Sequence, residues 1–229
     1  MKLSRVERLD LRFDPKPWRF AEQCRAEIDA HFATARRVKP QLWNGRVLVL
    51  RDYEIAGGAL RGAFFEADYA SFHAWIAWGR PAADAVDCFG TAVVRSSDGA
   101  FLLAQMAAHT ANAGRIYFPC GTPDPADIRN GKVDLDHSIR RELLEETGLD
   151  VAELEADPGW IVVEEQARLV AYRTMRAQES GEVLRQKVED YLARQDDSEL
   201  AAVRLVRNAT DLVPAMPDYV QVFLRHVWS

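Results

Sequence analysis

The stretch Arg141-Glu142-Leu143-Leu144-Glu145-Glu146-Thr147-Gly148-Leu149 constrains this chain more than any other part of it. On a helix, Glu142, Glu145 and Glu146 fall at i, i+3 and i+4 and stack three carboxylates on one face. Ile139 and Leu143 pair at i,i+4 on an adjacent apolar strip. Such a helix buries one strip and crowds like charges beside it. The crowding is relieved by a hard divalent cation, since Mg²⁺ or Mn²⁺ prefers oxygen ligands and keeps waters that substrate phosphates can displace. Arg141, beside Glu142 and four residues before Glu145, is placed to brace the acidic group. An isolated acidic pair would read as a solvated helix face, but here the string is longer. The helix DHSIRRELLEET ends at Gly148, with Asp134 or Asp136 as its N-cap.

Around this segment the chain alternates helix and strand signals. Residues 20–38 place Phe20, Cys24, Ile28 and Phe32 four apart, the stripe of one amphipathic helix. VLVL at 47–50 and ALRGAFFEA at 59–67, separated by Gly57-Gly58, predict a hairpin, and 69–78 an aromatic-rich helix. Pro81 and the small and acidic residues after it mark a boundary between an N-terminal α+β module, 1–85, and a second domain, 86–229. There, CFGTAVVRSSDGAFLLAQ gives two strands, and 110–132 is loop-like around a short IYF strand. One or two strands follow at 160–175, then a helix at 180–195, a strand in ELAAVRLV and a terminal helix in MPDYVQVFLRHVW. The fold class is α+β.

Composition excludes several functions. With 29 Lys and Arg against 35 Asp and Glu, the formal net charge is −6, so no global positive field holds a nucleic-acid backbone or an anionic membrane. Cys24, Cys88 and Cys120 form no CxxC pair and read as free thiols of a reducing compartment. The first ten residues lack an apolar core, and no apolar run approaches the ~20 residues of a membrane span. The expectation is a cytoplasmic protein without membrane or nucleic-acid partners.

The string 141–149 resembles the core of the Nudix box, GX5EX7REUXEEXGU with U aliphatic, at nine consecutive positions. The resemblance implies an α/β/α sandwich around a mixed sheet, covering about 86–229, and hydrolysis of a nucleoside diphosphate linked to a further group. It implies Mg²⁺ or Mn²⁺ as cofactor. Carried over by residue, Glu145 and Glu146 are metal ligands, Glu142 a further ligand or the base acting on water, and Arg141 its orienting partner. The upstream half departs from the pattern: the box glutamate falls on Val133 and the box glycine on Asp127. An insertion in GTPDPADIRNG would leave Gly121 as the tight-turn glycine whose carbonyl meets the metal, and Asp134 as a partial replacement for the glutamate. A further acid is expected among Glu164, Glu165 and Glu199.

Family markers of an ADP-ribose or dinucleoside-polyphosphate substrate, expected roughly sixteen residues after the box, are replaced by Glu164-Glu165-Gln166, and no SQPWPFPxS array occurs. LWNGRVLVLRDYEI and ALRGAFFEADYASFHAW are distantly similar to the region ahead of the Nudix fold in eukaryotic UDP-sugar diphosphatases. The resemblance therefore implies a nucleotide sugar as substrate, cleaved to a nucleoside monophosphate and a sugar 1-phosphate, in an enzyme that could be a homodimer. His109, Asn112, Arg115 and Arg129 are candidate contacts to phosphate or base. Trp43, Phe64, Phe65, Trp75 and Trp78 read as N-terminal core, and His31, His73, His137 and His226 lack partners at metal-site spacing. The alternative is a Nudix-fold nucleotide-binding module without turnover.

Overall fold

A computed structural model of the chain describes residues 1–81 and 83–229; residue 82, within the segment read as a boundary, lies outside them. The N-terminal third runs β1 (Lys2–Val6), β2 (Arg8–Phe13), α1 (Arg19–Gln23), α2 (Arg25–Val38), β3 (Arg46–Ala56), β4 (Ala59–Asp68) and α3 (Tyr69–Ala77). The middle holds β5 (Asp87–Arg95), β6 (Phe101–Met106), β7 (Ile116–Tyr117), β8 (Ile128–Arg129), β9 (Lys132–Val133) and α4 (Leu135–Thr147). The remainder is β10 (Glu155–Ala156), β11 (Trp160–Glu165), β12 (Arg168–Arg176), α5 (Gly181–Leu192), β13 (Leu200–Val206) and α6 (Asp218–Val227). Among the described residues, no helix is long and apolar enough to cross a membrane.

Two mixed sheets result. The larger follows the order β1-β11-β12-β5-β6-β13, with β12 and β5 parallel and the other pairs antiparallel; β10 joins β12 and β7 joins β6. Leu135, Ile139 and Leu143 of α4 and Leu184 and Val188 of α5 cover one face, while Val220, Phe223 and Leu224 of α6 cover the other. Tyr172 of β12 stacks on Phe223 with ring centroids 4.1 Å apart. The outcome is the α/β/α sandwich with a mixed sheet that the box implies.

The smaller sheet follows β3-β4-β2-β9-β8. In β3, Leu48 and Leu50 point into the core that contains α4, and Val47 and Val49 point the opposite way, against α2 and α3. Burial on both faces explains why VLVL is an uninterrupted apolar run. Strands from the two sides of residue 85 interleave: β1 adds to the large sheet beside β11, and β9, from the loop ahead of the box, adds to the small sheet beside β2. One hydrophobic core therefore joins both sheets.

Three local expectations are corrected. The helix over 20–38 is bent at Cys24, whose backbone leaves helical geometry at φ −108° and ψ 22°, so that Phe20 packs against Trp18 and Trp78 while Ile28 and Phe32 stay in the core. Trp43 is 80% exposed, on a loop that follows α2, and is no part of the core; Trp78 is partly exposed, and Phe64, Phe65 and Trp75 are buried. The loop ahead of the box is not irregular throughout: β8 and β9 make a hairpin there, clipped by the Asp134 N–H donating to the Asp127 carbonyl at 2.9 Å.

Candidate functional site

The box helix α4 is fixed at both ends. Asp134 is the N-cap, its carboxylate accepting from the His137 N–H at 3.0 Å. Gly148 ends it at φ 71°, a conformation glycine adopts without penalty, and a Cβ there would also run into the Tyr191 ring. Tyr191 in turn donates its hydroxyl to the Glu145 carbonyl at 3.1 Å. The periodic strip Leu135, Ile139, Leu143 is buried on β5, which sets the rotation of the helix and hence where its acids point.

That rotation divides the three carboxylates. Glu145 remains largely in solvent, with an Arg141 Nη1 at 3.2 Å. Glu142 and Glu146 turn inward, toward the strip Cys120-Gly121. A Cβ at Gly121 would collide with the Glu142 carboxylate, so this glycine is needed for close approach; its φ is not in the left-handed region, and the tight-turn reason does not apply. Burial, opposed by Arg141 and reinforced by Glu145, Asp127 and Glu199, pushes the Glu142 carboxyl up to about 7. The ion pair with Arg141 at 2.8 Å does not outweigh that burial. Glu146 is pushed up to about 9 by burial and by the charges of Glu142 and Glu199. Its Oε2 is buried without a hydrogen-bond partner among the described residues.

Arg141 is the hub of the acidic group. Besides Glu142 and Glu145, its guanidinium lies 3.4 Å from Asp127 and 3.6 Å from Asp124. Asp127 is fully buried and accepts from the Asp124 N–H at 3.1 Å. The β8–β9 hairpin thus delivers Asp127, not Asp134, to the arginine, while Val133 is buried in the core. Asp134 does not replace the box glutamate, because its carboxylate is spent on the helix cap.

A hard cation fits these residues. Glu142 raises the pKa of the partly buried Glu146, one oxygen there has no donor among the described residues, and the carboxylates offer oxygens, the donor type Mg²⁺ and Mn²⁺ prefer. No three His, Cys, Asp or Glu side chains among the described residues are already gathered in metal-ligand geometry. Of the further acids, Glu199 is the one whose charge reaches both Glu142 and Glu146. Glu164 is held elsewhere, by the Tyr53 hydroxyl at 3.1 Å and Lys2 at 3.3 Å. Glu165 sits beside Arg168 at 3.5 Å.

On the far side of the 120–122 strip opens a cavity of about 600 Å³. Asn112 and Arg115 line it, with the Asn112 amide donating to the Tyr117 hydroxyl at 3.2 Å. His109 and Arg129 do not: His109 faces Asp197 at 3.4 Å, and the Arg129 guanidinium lies against the His137 ring at 2.9 Å, on the hairpin side of α4. The cavity also brings together residues that sequence spacing does not connect. Asp87 opens β5, is buried, and accepts from Arg168 Nε at 2.9 Å; the Arg168 guanidinium lies 5.0 Å from the centre of the Tyr219 ring. Tyr69, Phe72 and His73 of α3 form the opposite wall. The 69–78 helix was legible, but not which face would meet the site.

Comparison with known families agrees with this geometry. The NUDIX domain matches over residues 88–222, more than half of the chain, and the chain belongs to the Nudix family of hydrolases acting on pyrophosphate bonds. Similar solved structures include the MutT protein from Methanosarcina mazei Go1, 17% identical over 62% of this chain and 91% of that one, with a TM-score of 0.37. The Nudix hydrolase RenU from M. smegmatis is 17% identical over 62% and 83%, at 0.36. A bifunctional NMN adenylyltransferase/ADP ribose pyrophosphatase from Francisella tularensis is 13% identical over 69% and 45%, at 0.43. No curated protein sequence matches the chain.

Proposed function

We propose that the chain is a Mg²⁺- or Mn²⁺-dependent pyrophosphatase that splits a nucleoside diphosphate derivative, with a nucleotide sugar such as a UDP-hexose as the leading substrate, into a nucleoside monophosphate and a sugar 1-phosphate. The observation that supports it is the pair of partly buried carboxylates, Glu142 and Glu146, one oxygen of them without a partner among the described residues, packed against the Cys120-Gly121 strip that lines a cavity of about 600 Å³. Glu142, Glu145, Glu146 and the Gly121 carbonyl would hold the cation, with Glu199 adding charge nearby. When bound, it neutralises pyrophosphate oxygens and lowers the pKa of water. Glu142, as a further ligand or as the base, would accept the proton that the attacking water loses and pass it to solvent. The water oxygen bonds to one phosphorus as that same phosphorus's bond to the bridging oxygen breaks, and the bridging oxygen leaves on the other phosphate. Arg141 keeps Glu142 oriented by anchoring on Asp127. The N-terminal module, residues 1–85, supplies the α3 wall of the substrate cavity.

A second reading rests on Val133 in place of the box glutamate: a binding module without turnover. A mass-spectrometric hydrolysis screen separates the two, with each metal, over UDP-glucose, UDP-galactose, ADP-ribose, NADH, coenzyme A, diadenosine polyphosphates and nucleoside triphosphates. Metal-dependent release of UMP and hexose 1-phosphate, absent in Glu146→Gln, is the expected result. Turnover of a different substrate would keep the enzyme and remove the nucleotide sugar. Tight binding with no turnover anywhere would favour the module.

A further inference from the structure

Helix α3 divides its faces. Ala70, Ser71, Ala74 and Trp75 are buried toward β3 and β4, whereas Tyr69, Phe72, His73, Ile76 and Ala77, at i, i+3, i+4, i+7 and i+8, all line the cavity. His73 is the most versatile polar group on that stripe, and its ring is not free to turn. Its Nδ1 lies 3.2 Å from Nε2 of His31, on α2, and the ring packs edge-on to Phe32 and beside Tyr69. With Nδ1 engaged, Nε2 is the one ring nitrogen left for a ligand. Burial, then the neighbouring charges of His31 and Lys39, hold His73 below its ordinary pKa, so the ring is neutral around pH 7.

The rest of the cavity points the same way. Arg168 is already offset by Asp87 and Glu165, and Asp218 adds a further acid, while Arg115 is the lining cation without an ion pair among the described residues. A lining in which acids balance or exceed cations does not gather phosphate far from the metal end. It suits the uncharged, hydrogen-bonding part of the substrate.

We infer that His73, held in place by His31, is a specificity-determining residue whose Nε2 hydrogen-bonds a neutral group of the substrate's non-phosphate portion, a sugar hydroxyl or a nucleobase edge. This rests on the cavity's being the substrate site proposed above, and it is tested by binding, so that it stands or falls separately from turnover. Which tautomer His31 imposes decides whether that nitrogen donates or accepts.

Calorimetric titration of the full chain with Mg²⁺, using UMP, glucose 1-phosphate and inorganic phosphate as ligands, tests it. The wild type is expected to bind one organic phosphate more tightly than inorganic phosphate. His73→Ala should weaken that ligand about tenfold, the worth of one hydrogen bond to a buried partner, and leave inorganic phosphate within about twofold. His31→Ala, which frees the ring without removing it, should weaken the same ligand by a smaller factor. Loss confined to UMP identifies the base edge, and loss confined to glucose 1-phosphate identifies the sugar hydroxyl. Thermal melting checks the fold, and His73→Asn carries the same comparison if the alanine variant does not fold. The inference is overturned if all three ligands weaken alike, if none does, or if the wild type binds no organic phosphate better than inorganic phosphate. His73-dependent binding without hydrolysis of any substrate would keep the inference and remove the hydrolase reading.

Discussion

Helix α3 lines the cavity and helix α4 stands behind its Cys120-Gly121 wall, and the two are built on opposite terms. α4 presents acids: Glu142 and Glu146 turn inward and are partly buried, with raised pKa values and an oxygen lacking a donor among the described residues. α3 presents aromatic and neutral polar groups, with its other face packed into the core around Trp75. The first arrangement is poor for the fold alone and good for a cation; the second is good for the fold and leaves one stripe over for a ligand. Chemistry and specificity thus sit on separate helices, and each can be broken without the other.

The largest effect is expected on the α4 side. Glu146→Gln removes the carboxylate with the donorless oxygen, so metal-dependent turnover should fall about a hundredfold or more while the melting temperature stays level or rises. Paired kinetics and calorimetric melting check this, and a parallel loss of stability would mean that Glu146 is structural. On the α3 side the order reverses. Trp75→Ala empties a fully buried ring site and should lower stability by about 4 kcal/mol in urea unfolding.

Asp127→Ala tests the link between the two sheets. It strips Arg141 of its one fully buried partner, and a cost of about 2 kcal/mol is expected, together with a weaker hold on Glu142 that lowers kcat rather than raising KM.

The contrast also has a pH signature in metal-free protein. Glu142 and Glu146 carry folded pKa values of about 7 and about 9 against an ordinary 4.5, so the folded state binds more protons than the unfolded state between those values. Stability should therefore be highest near pH 4.5 and decline as pH rises through 7 toward 9. Added Mg²⁺ should restore it at the high end, and Glu146→Gln should flatten the slope; a metal-free melting temperature that climbs from pH 5 to pH 8 would contradict the burial of this pair. The smallest effect belongs to His109→Ala. Its ring lies outside the cavity against an exposed aspartate, and stability should change by less than about 0.5 kcal/mol with KM within about twofold.

Much of this molecule could be read in one dimension because its signals are local. The i, i+3, i+4 acids, the Asp134 cap and the Gly148 stop define the 13-residue α4 from cap to cap, and the apolar runs of β3, β4, β5 and β6 announce themselves by length and turn signals. Asn112 and Arg115 reach the cavity because they share the loop that leads into β7. His109 and Arg129 share similar chemistry and proximity in sequence, but point elsewhere: a loop's spacing does not fix where its side chains aim.

What the sequence determined by itself is the helix that crowds three carboxylates, the alternation of strands and helices around it, and membership of a class whose site needs a divalent ion, since each of these is written in residue spacing over one or two turns. Tertiary structure alone decided which two of those carboxylates are buried, that Asp127 rather than Asp134 reaches Arg141, and that His31 meets His73 across 42 residues. Those outcomes depend on strand register and helix rotation, which are set by the packing of two sheets around one shared core, and no local pattern encodes them.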